Sequence, residues 1–440
     1  MDRVRIDEPH RAEFRFYRPV VVVAGPQVTC ACHDGARVPV CTDDGEATPV
    51  APGGSGHVSN STRKVMQVTD TGRPTPDPRA MTAVTAWEMT APKEPFRRVE
   101  RDAPALDAGQ VLVRVAGCGV CHTDLGFWWD GVRTRHPLPL VLGHEISGVV
   151  VAASPGHEKL VGSAVIVPAV IPCGLCEVCL DGHGNICPKQ IFPGNDLHGG
   201  FASHVVVPAH GLCSVPGFTG DVDAKLGRSG VSLRELSVLA DAISTPWQSI
   251  QRSGLRGGDV AVFIGAGGVG GFGVQLAAAQ GAKVVALDVS PERLARMSEH
   301  GASLTVDVRG KDAKTIRKEV GAWAKAAGLP STRWKIFETS GTAAGQETAF
   351  ALLNHGAYLG VVGFTMDSVS VRLSNLMAFD AKAEGVWGCA PALYPSALEL
   401  VLAGKVHVAP FVERRPLAQI NDVFAAIQRH EIAGRPVLVP

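Results

Sequence analysis

The sequence is poor in aromatic residues, with three tyrosines among its 440 residues, and it has no long hydrophobic run. Its longest apolar stretches, such as VVVVAG and ISGVVVAA, are strand-sized. A membrane-spanning helix needs roughly 18 to 20 apolar residues, so we predict no membrane association. The 42 basic residues are balanced by 42 acidic ones. A net charge of zero gives no overall attraction to nucleic acid, and we predict no nucleic-acid partner.

The N-terminal stretch MDRVRIDEPHRAEFRF also lacks the apolar core of a secretory signal. The sequence therefore predicts a cytoplasmic protein. It contains 11 cysteines, most of them tightly clustered. Because disulfides are rare in a reducing compartment, these cysteines favour metal binding or thiol chemistry.

Residues 1–80 differ from the rest of the chain, since they are rich in Pro, Gly, Ser, Thr and Asp without helix or strand periodicity. We interpret them as a mostly disordered extension. Within them, the CACH stretch with His33, together with Cys41, could form a metal site, although cysteines in a polar segment are more often incidental. Met66 or Met81 is an alternative start, because ordered-looking sequence begins near MTAVTAWEMTAP.

The remaining sequence predicts an α/β protein of three segments. Residues 81–242 show short β-like runs separated by turn signals, typical of a β-rich, partly barrel-like catalytic domain. In residues 243–388 apolar strands alternate with helical stretches, which indicates a doubly wound parallel sheet covered by helices. Residues 389–440 carry two helical stretches and a final strand, RPVLVP, which we expect to pack back on the first domain.

A dinucleotide fingerprint opens the second of these segments. In VAVFIGAGGVGGFGVQLAAAQGAKVVALD the glycines follow a buried strand and precede a helix, and the next strand ends in Asp288. The first glycine permits the tight turn, the second admits a pyrophosphate, and the third allows close packing of helix on strand. The pyrophosphate would lie at the helix N-terminus. The residues we expect at this site are Gly265, Gly267, Gly268, Val269 and Gly270.

The acidic residue after the second strand predicts which dinucleotide binds. Asp288 can accept hydrogen bonds from the ribose hydroxyls and would repel a 2′-phosphate, which favours NAD over NADP. Arg293, five residues further on, could weaken that preference. The alternatives are a glycine-rich turn without a ligand and FAD, which usually binds near the start of a chain.

A run of four cysteines, spaced C-x2-C-x2-C-x7-C, lies in the first segment. Four thiolates can enclose a tetrahedral Zn²⁺ with no open position, and such a site stabilises a lobe but cannot activate a substrate. An iron–sulfur cluster is the alternative. We interpret His183, inside the loop, as a solvated residue. The proposed ligands are Cys173, Cys176, Cys179 and Cys187.

A second metal site is suggested by residues that are far apart in sequence. The stretch GCGVCHTD contains Cys118 and Cys121, LGHEISG contains His144, and LADAISTPW contains Asp241. A thiolate, an imidazole and a carboxylate would leave the fourth tetrahedral position open for water or a substrate oxygen. Spacing alone leaves this open, because single His and Asp residues usually have structural roles.

In their order along the chain, GCGVCHTD, GHE, the four-cysteine run, GAGGVG and VVALD resemble the zinc-containing medium-chain alcohol dehydrogenases over residues 81–440. This resemblance implies a GroES-like catalytic domain, a Rossmann domain that binds NAD, and two zinc ions per chain, one catalytic and one structural. It also implies an enzyme that oxidises a hydroxyl group and assembles as a homotetramer or homodimer.

The resemblance assigns roles around the second metal site. Cys121 and His144 match catalytic zinc ligands, and Asp241 stands where many members have cysteine and some have aspartate. An aspartate in place of a cysteine at this position still leaves the metal with two anionic ligands, Cys121 and Asp241. Glu145 matches an acidic neighbour of the metal, and such outer groups tune the site. Cys118 matches no ligand, and we expect it to pack near the site rather than to form a redox pair with Cys121.

The same resemblance implies a proton path. Thr123 matches the hydroxyl that takes the alcohol proton, although a threonine here could simply bond to the backbone. His122 matches a contact to coenzyme phosphate, and Thr245 is expected beside the nicotinamide. Several members have a histidine five residues after the ligand cysteine, where this chain has Gly126. The outer part of the relay must therefore run through other residues or through water.

The segment between the first two ligands is expected to line the substrate mouth. Its aromatic residues could contact a flat substrate and its arginines could meet phosphate, whereas the alternative is a packed aromatic cluster beside a solvated loop. Lys189 is a weaker candidate for the contact with the phosphate groups of a substrate. The candidate substrate residues are Phe127, Trp128, Trp129, Arg133 and Arg135.

Three long stretches give a narrower resemblance: DGVRTRHPLPLVLGHEISG, VIVPAVIPCG and CPKQIFPGNDLHGGFASHVVVPA. They resemble the branch of the family that oxidises 6-hydroxycyclohex-1-ene-1-carbonyl-CoA in anaerobic benzoyl-CoA degradation. This implies an acyl-CoA substrate. A dehydrogenase of free primary or secondary alcohols is the alternative, and a non-catalytic NAD-binding relative is a more distant one.

Overall fold

The computed structural model describes residues 83–429 and 431–440. The predicted N-terminal extension, the CACH stretch with Cys41, and the alternative starts Met66 and Met81 all lie outside the described residues.

The first part of the described chain is rich in β-structure, because its runs of Val, Ile and Ala alternate with turns. Glycines at positive φ, such as Gly143, occupy the sharp turns where other residues would be strained. The strands are β1 Ala83–Met89, β2 Arg97–Asp102, β3 Gln110–Gly119, β4 Leu140–Val141, β5 Glu145–Ala153, β6 Ala164–Val167, β7 His204–Pro208 and β8 Cys213–Ser214. The helices are α1 His122–Trp128 and α2 Glu177–Leu180.

The next part alternates strands and helices, and all its strand pairs are parallel. Its strands are β9 Val260–Ile264, β10 Lys283–Asp288, β11 Ala302–Asp307, β12 Lys335–Glu338, β13 Tyr358–Val361 and β14 Lys382–Gly385. Its helices are α3 Ser244–Ser253, α4 Gly270–Ala279, α5 Pro291–Glu299, α6 Ala313–Ala326, α7 Ala343–Ala351 and α8 Ser374–Phe379. The strand order β11-β10-β9-β12-β13-β14 reverses between β9 and β12. In such sheets ligands bind in the crevice beyond the carboxyl ends of the strands at the reversal.

The C-terminal part returns to the first. Its elements are α9 Tyr394–Leu402, β15 Val412–Pro416, α10 Ile420–Gln428 and β16 Arg435–Val439. Strand β16 pairs antiparallel with β3, and it completes the seven-stranded sheet with the path β15-β16-β3-β5-β6-β8 and with β7 beside β3. A separate sheet has the order β2-β1-β4. Short 3₁₀ helices span Glu158–Leu160, Gly184–Ile186, Glu235–Ala240, Pro391–Leu393, Ala409–Phe411 and Leu417–Gln419. The predicted fold class, a Rossmann domain with a β-rich GroES-like domain, is confirmed.

The pairing of three strands brings distant segments together at one point. In the β3–β5 register Gly119 faces Glu145, and in the β16–β3 register Val437 also faces Gly119. A Cβ on Gly119 would lie 2.0 Å from Oε2 of Glu145, so glycine is required for this close approach. The end of β3, the middle of β16 and the start of β5 therefore meet in the buried interior.

The helices of the described residues do not combine the length and apolarity that a bilayer crossing requires.

Candidate active site and metal centres

Three side chains from distant segments converge into a candidate metal site. Cys121 caps the N-terminus of α1, His144 directly precedes β5, and Asp241 ends the 3₁₀ helix Glu235–Ala240. Oδ2 of Asp241 lies 3.4 Å from Sγ of Cys121 and 3.7 Å from Nε2 of His144. Ligand atoms of a tetrahedral zinc are about 3.4 to 3.6 Å apart, given the usual bond lengths. This donor set therefore fits zinc with one position left for substrate.

A buried carboxylate holds two of these segments in place. Asp124 accepts hydrogen bonds from the backbone N–H groups of Cys121 (2.9 Å) and Gly143 (3.1 Å). Its Oδ1 lies 3.4 Å from Nδ1 of His144, so Nε2 is left to face the metal position. Asp124 was not among the predicted site residues, although its place three residues after a predicted ligand was a usable signal.

The charges of the site stabilise one another. Burial raises the pKa of Asp241, but hydrogen bonding to His144, the nearby Arg435 and Thr245 hold that pKa far below its usual range. Oγ1 of Thr245 donates a hydrogen bond to Oδ1 of Asp241 at 2.5 Å. Burial lowers the pKa of His144, but its carboxylate neighbours, Asp124 foremost, hold it well above the usual range. Zinc would have to displace a proton from His144, so the affinity of the site for zinc should fall at low pH.

Glu145 is a member of the same cluster, with its ligand atom within 4.8 Å of the other three, but its carboxylate is already engaged. Nε of Arg435 donates to Oε2 of Glu145 at 2.8 Å, and the second guanidinium nitrogen contacts Oε1. The N–H of Ala242 donates to Oε1 at 3.0 Å. Despite burial, the Glu145 carboxylate keeps the pKa of Arg435 well above its usual value. This geometry gives Glu145 a supporting position beside the three candidate ligands.

Arg435 also reaches the glycine-rich loop. A Cβ on Gly268 would lie 2.8 Å from Nη1 of Arg435. Cys121 and His122 face this loop across a cleft of about 130 Å³, which Arg293 and Arg435 also line. One buried cation therefore links the metal site to the place where a pyrophosphate is expected. Arg435 lies in the final strand, and nothing in its sequence context marked it.

The glycine-rich loop has the geometry that dinucleotide binding needs. Gly265 has φ +91°, and a Cβ on Gly270 would lie 1.8 Å from the carbonyl oxygen of Gly265. Asp288 accepts hydrogen bonds from the N–H groups of Ala266 (2.7 Å) and Ser290 (2.9 Å). Each carboxylate oxygen retains a further lone pair, so Asp288 can still accept from a ribose hydroxyl.

The four-cysteine run forms a closed cluster. The sulfur separations are 3.5 Å (Cys173–Cys187), 3.4 Å (Cys176–Cys179), 3.7 Å (Cys176–Cys187) and 3.9 Å (Cys173–Cys179). Four sulfurs at about 2.3 Å from a zinc ion would be about 3.8 Å apart. Backbone N–H groups of Leu175 and Cys176 lower the pKa of Cys173 to about 6, which favours the thiolate that zinc binds. His183 is exposed on the loop.

Cys118 is buried and reduced, as is Cys121. Its Sγ would lie 2.8 Å from a Cβ on either Gly143 or Gly200, so it fills the space between two tight turns. Burial raises the pKa of its thiol well above the usual value. These properties belong to a packing residue.

The structure separates the candidate substrate residues. Phe127 and Trp128 are buried in the core of the β-rich domain, where Trp128 contacts Phe96 and Phe424 and donates Nε1–H to the carbonyl of Glu94 at 2.7 Å. Helix α1 turns these side chains inward, away from solvent. The remaining candidates, Trp129, Arg133 and Arg135, are exposed. The ammonium group of Lys93 lies over the ring of Trp129, and Arg135 forms an ion pair with Asp196.

Another aromatic pair, missed by our sequence analysis, lies nearer the metal position. The ring of Phe192 is 4.8 Å from that of His144, and the ring of Trp387 is 6.2 Å from that of Phe192. Phe192 is buried, whereas Trp387 is 51% exposed. The two rings form a series from His144 towards solvent.

A buried carboxyl group in the nucleotide-binding part predicts a pH effect on stability. Glu338, at the end of β12, is fully buried, and burial raises its pKa even though Oε1 accepts from Ser340 N–H at 2.8 Å. Folding therefore favours the protonated form, and stability should fall as the pH rises through the interval above the ordinary glutamate pKa. We expect Glu338→Gln to weaken this fall, measured as the urea midpoint between pH 4 and 8. An unchanged pH dependence in the variant would show that another group is responsible.

Comparison with known proteins agrees with this geometry. Residues 107–217 match the alcohol dehydrogenase GroES-like domain, and residues 268–403 match the zinc-binding dehydrogenase domain. An alcohol dehydrogenase of Geobacillus stearothermophilus is 31% identical over 349 residues, which cover 79% of this chain and 96% of the relative. An L-threonine 3-dehydrogenase of Bacillus subtilis is 28% identical, with 77% of this chain and 93% of the relative covered.

A solved structure supports the same assignment. The alcohol dehydrogenase of Aeropyrum pernix superposes with a TM-score of 0.70 at 28% identity, covering 81% of this chain and all of that one. The chain therefore combines both halves of the fold with the three-ligand cluster and the four-cysteine cluster. Its matches extend over nearly the whole length of these relatives. The chain belongs to the zinc-containing medium-chain alcohol dehydrogenases.

Proposed function

We propose that this zinc-type alcohol dehydrogenase uses NAD to oxidise the ring hydroxyl of 6-hydroxycyclohex-1-ene-1-carbonyl-CoA to the 6-oxo product. The observation that carries the proposal is the series of Phe192 and Trp387 beside His144. Aromatic faces of this kind suit a flat, unsaturated ring whose hydroxyl points at the metal position. The long stretches that resemble the acyl-CoA branch of the family support the same substrate.

The residues of the chain have distinct tasks in this reaction. Zinc and NAD, when bound, supply stabilisation of the alkoxide charge and acceptance of the hydride. Cys121, His144 and Asp241 would hold the metal, and Oγ1 of Thr123 lies 3.7 Å from Sγ of Cys121. From there Oγ1 would accept the proton of the substrate hydroxyl while the Thr123 hydroxyl donates its own proton to water, which its half-buried position allows.

Asp288 supports NAD as the preferred cofactor. Its buried carboxylate lies at the end of β10 and would face a 2′-phosphate with like charge. Arg293 is 3.8 Å from Asp288 and lines the cleft, so it can pair with this carboxylate rather than with a phosphate. We further propose two zinc ions per chain, one in each cluster, and a homodimer or homotetramer.

The CoA end of the substrate needs cations farther from the metal. Arg133 and Arg135 are exposed, and Arg135 is already paired with Asp196 at 3.3 Å. Arg133 is therefore the better candidate, and Lys189 remains a second one. A dehydrogenase of free alcohols is the competing function, because an open metal site can serve any hydroxyl and two relatives are named alcohol dehydrogenase and L-threonine 3-dehydrogenase.

The test compares NAD reduction with 6-hydroxycyclohex-1-ene-1-carbonyl-CoA and with its free acid. We expect kcat/KM to be at least about 100-fold higher for the thioester, since phosphate contacts and area burial add several kcal/mol. Arg133→Ala should lower kcat/KM for the thioester alone, with Arg98→Ala on an exposed strand as the matched control. Equal values for the two substrates would overturn CoA recognition and leave the free-alcohol function.

A further inference from the structure

A buried hydrogen bond connects the four-cysteine lobe, defined as residues 173–192, to the nucleotide-binding part of the chain. Asn185 lies in the loop between Cys179 and Cys187 and is 1% exposed. Its Nδ2 donates to the carbonyl oxygen of Trp387 at 3.0 Å, and Nη2 of Arg252 donates to its Oδ1 at 3.3 Å. Trp387 follows β14, so the lobe contacts a segment about 200 residues away.

The main chain of Trp387 is held from a second side as well. Nε2 of Gln248 donates to the carbonyl oxygens of Trp387 (3.4 Å) and Gly388 (2.9 Å). Oε1 of Gln248 accepts from the N–H of Ala390 at 2.8 Å. Gln248 is 2% exposed, and buried polar bonds of this kind are costly to break. The backbone around Trp387 is therefore held by buried partners from both sides.

The indole itself is directed by the lobe. Its Nε1–H donates to Oε1 of Gln190 at 3.0 Å, and its ring faces Phe192, two residues further along the same loop. Although its backbone and nitrogen are held, half of Trp387 remains exposed. A large aromatic side chain that is held rigidly and left half open is suited to contact a ligand.

We propose that Trp387 is a specificity-determining residue for ring substrates and that the four-cysteine lobe positions it. Trp387 contacts the face of the substrate ring, while Gln190 and Asn185 act as positioning residues through the indole nitrogen and the backbone. The lobe thus has a part in substrate selection in addition to stabilising the fold. The inference rests on the proposed function, since it assumes that the ring enters beside His144 and Phe192.

The first experiment compares a ring alcohol with a small one in the zinc- and NAD-loaded enzyme. The probes are cyclohex-2-en-1-ol and propan-2-ol. Trp387→Ala should lower kcat/KM for the ring alcohol about 10- to 100-fold, the range that apolar pocket contacts supply, with a change of less than about threefold for propan-2-ol. A similar loss for both alcohols would overturn the proposal, because it would show a general structural role.

The second experiment separates the ring contact from its positioning. Trp387→Phe keeps an aromatic face but removes the Nε1–H donor, and Gln190→Leu removes the acceptor. Each should lower the ring-to-small-alcohol ratio of kcat/KM by about three- to tenfold, and the double variant should be no worse than either single variant. Fully additive losses would show that Gln190 does not act through the indole.

The third experiment tests the lobe. Asn185→Ala should reduce the same ratio while the zinc content stays at the wild-type value, and Leu180→Ser, at an exposed position of the lobe, is the control. An unchanged ratio in Asn185→Ala with zinc retained would remove the lobe from the proposal. If zinc is lost, Asn185→Asp supplies the comparison, because it keeps the Oδ1 acceptor and loses only the donor to Trp387. A wild-type enzyme that is inactive with both of these alcohols and with 6-hydroxycyclohex-1-ene-1-carbonyl-CoA would instead contradict the proposed function.

Discussion

Replacing Asp241 with alanine is expected to abolish alcohol oxidation and to lower the zinc content from two ions per chain towards one. Asp241 lies next to both other candidate ligands, since its Oδ2 is close to Sγ of Cys121 and to Nε2 of His144. Its loss leaves two protein ligands, which rarely hold catalytic zinc. Because metal stabilisation of the alkoxide is worth several kcal/mol, kcat/KM should fall by roughly 10³-fold or more. Steady-state kinetics and metal analysis of the same preparations measure both effects.

The matched control is Asp241→Cys. It restores an anionic ligand of a type that zinc binds readily, so zinc and part of the activity should return. The remaining zinc in Asp241→Ala should be resistant to mild chelation, because the four-cysteine cluster is closed. If Asp241→Ala kept both ions and its activity, the third ligand would have to be another residue of the cluster.

Replacing Arg435 with leucine is expected to weaken both the fold and NAD binding. Arg435 forms a buried two-point contact with Glu145, and removal of one partner from such a pair costs about 3 to 5 kcal/mol. Because the guanidinium also reaches the loop at Gly268, the KM for NAD should rise by roughly ten- to a hundredfold, in line with the loss of a charged hydrogen bond. Unfolding midpoints and NAD titrations measure the two effects separately.

Two further variants make the Arg435 prediction specific. Arg98→Leu removes an arginine from an exposed pair with Glu100, where a loss of less than about 1 kcal/mol is expected. Adding Glu145→Gln to Arg435→Leu should recover part of the stability, since no buried charge is then left unpaired, but it should not recover the affinity for NAD. Recovery of both properties would show that Arg435 acts only through Glu145.

The features that could be predicted from the sequence are those whose parts lie close together in the chain. The four-cysteine cluster needs 15 residues, and the dinucleotide fingerprint needs a strand, a turn and a helix, so local spacing was informative for both. The family resemblance added the distant partners Cys121, His144 and Asp241. The structure brings all three within ligand distance of one another.

The residues that we propose for ring binding could not be predicted in the same way. Phe127 and Trp128 follow a ligand closely in sequence, but helix α1 directs them into the core with Phe96. Phe192 reaches His144 from the loop after the four-cysteine cluster, and Trp387 arrives from the end of the parallel sheet. Proximity in the chain was a poor guide here, because the direction of a side chain depends on which face of its element is buried.

The α/β architecture, the four-cysteine cluster and a dinucleotide cofactor could be predicted from the sequence, because each depends on local periodicity and short spacings. The surroundings of the three-ligand cluster depend on the tertiary structure, because they come from segments far apart in the chain. Arg435 reaches Glu145 because β16 pairs with β3 next to the point where β3 pairs with β5. Strand pairing joins residues about 290 positions apart, and a contact at that separation leaves no trace in local sequence pattern.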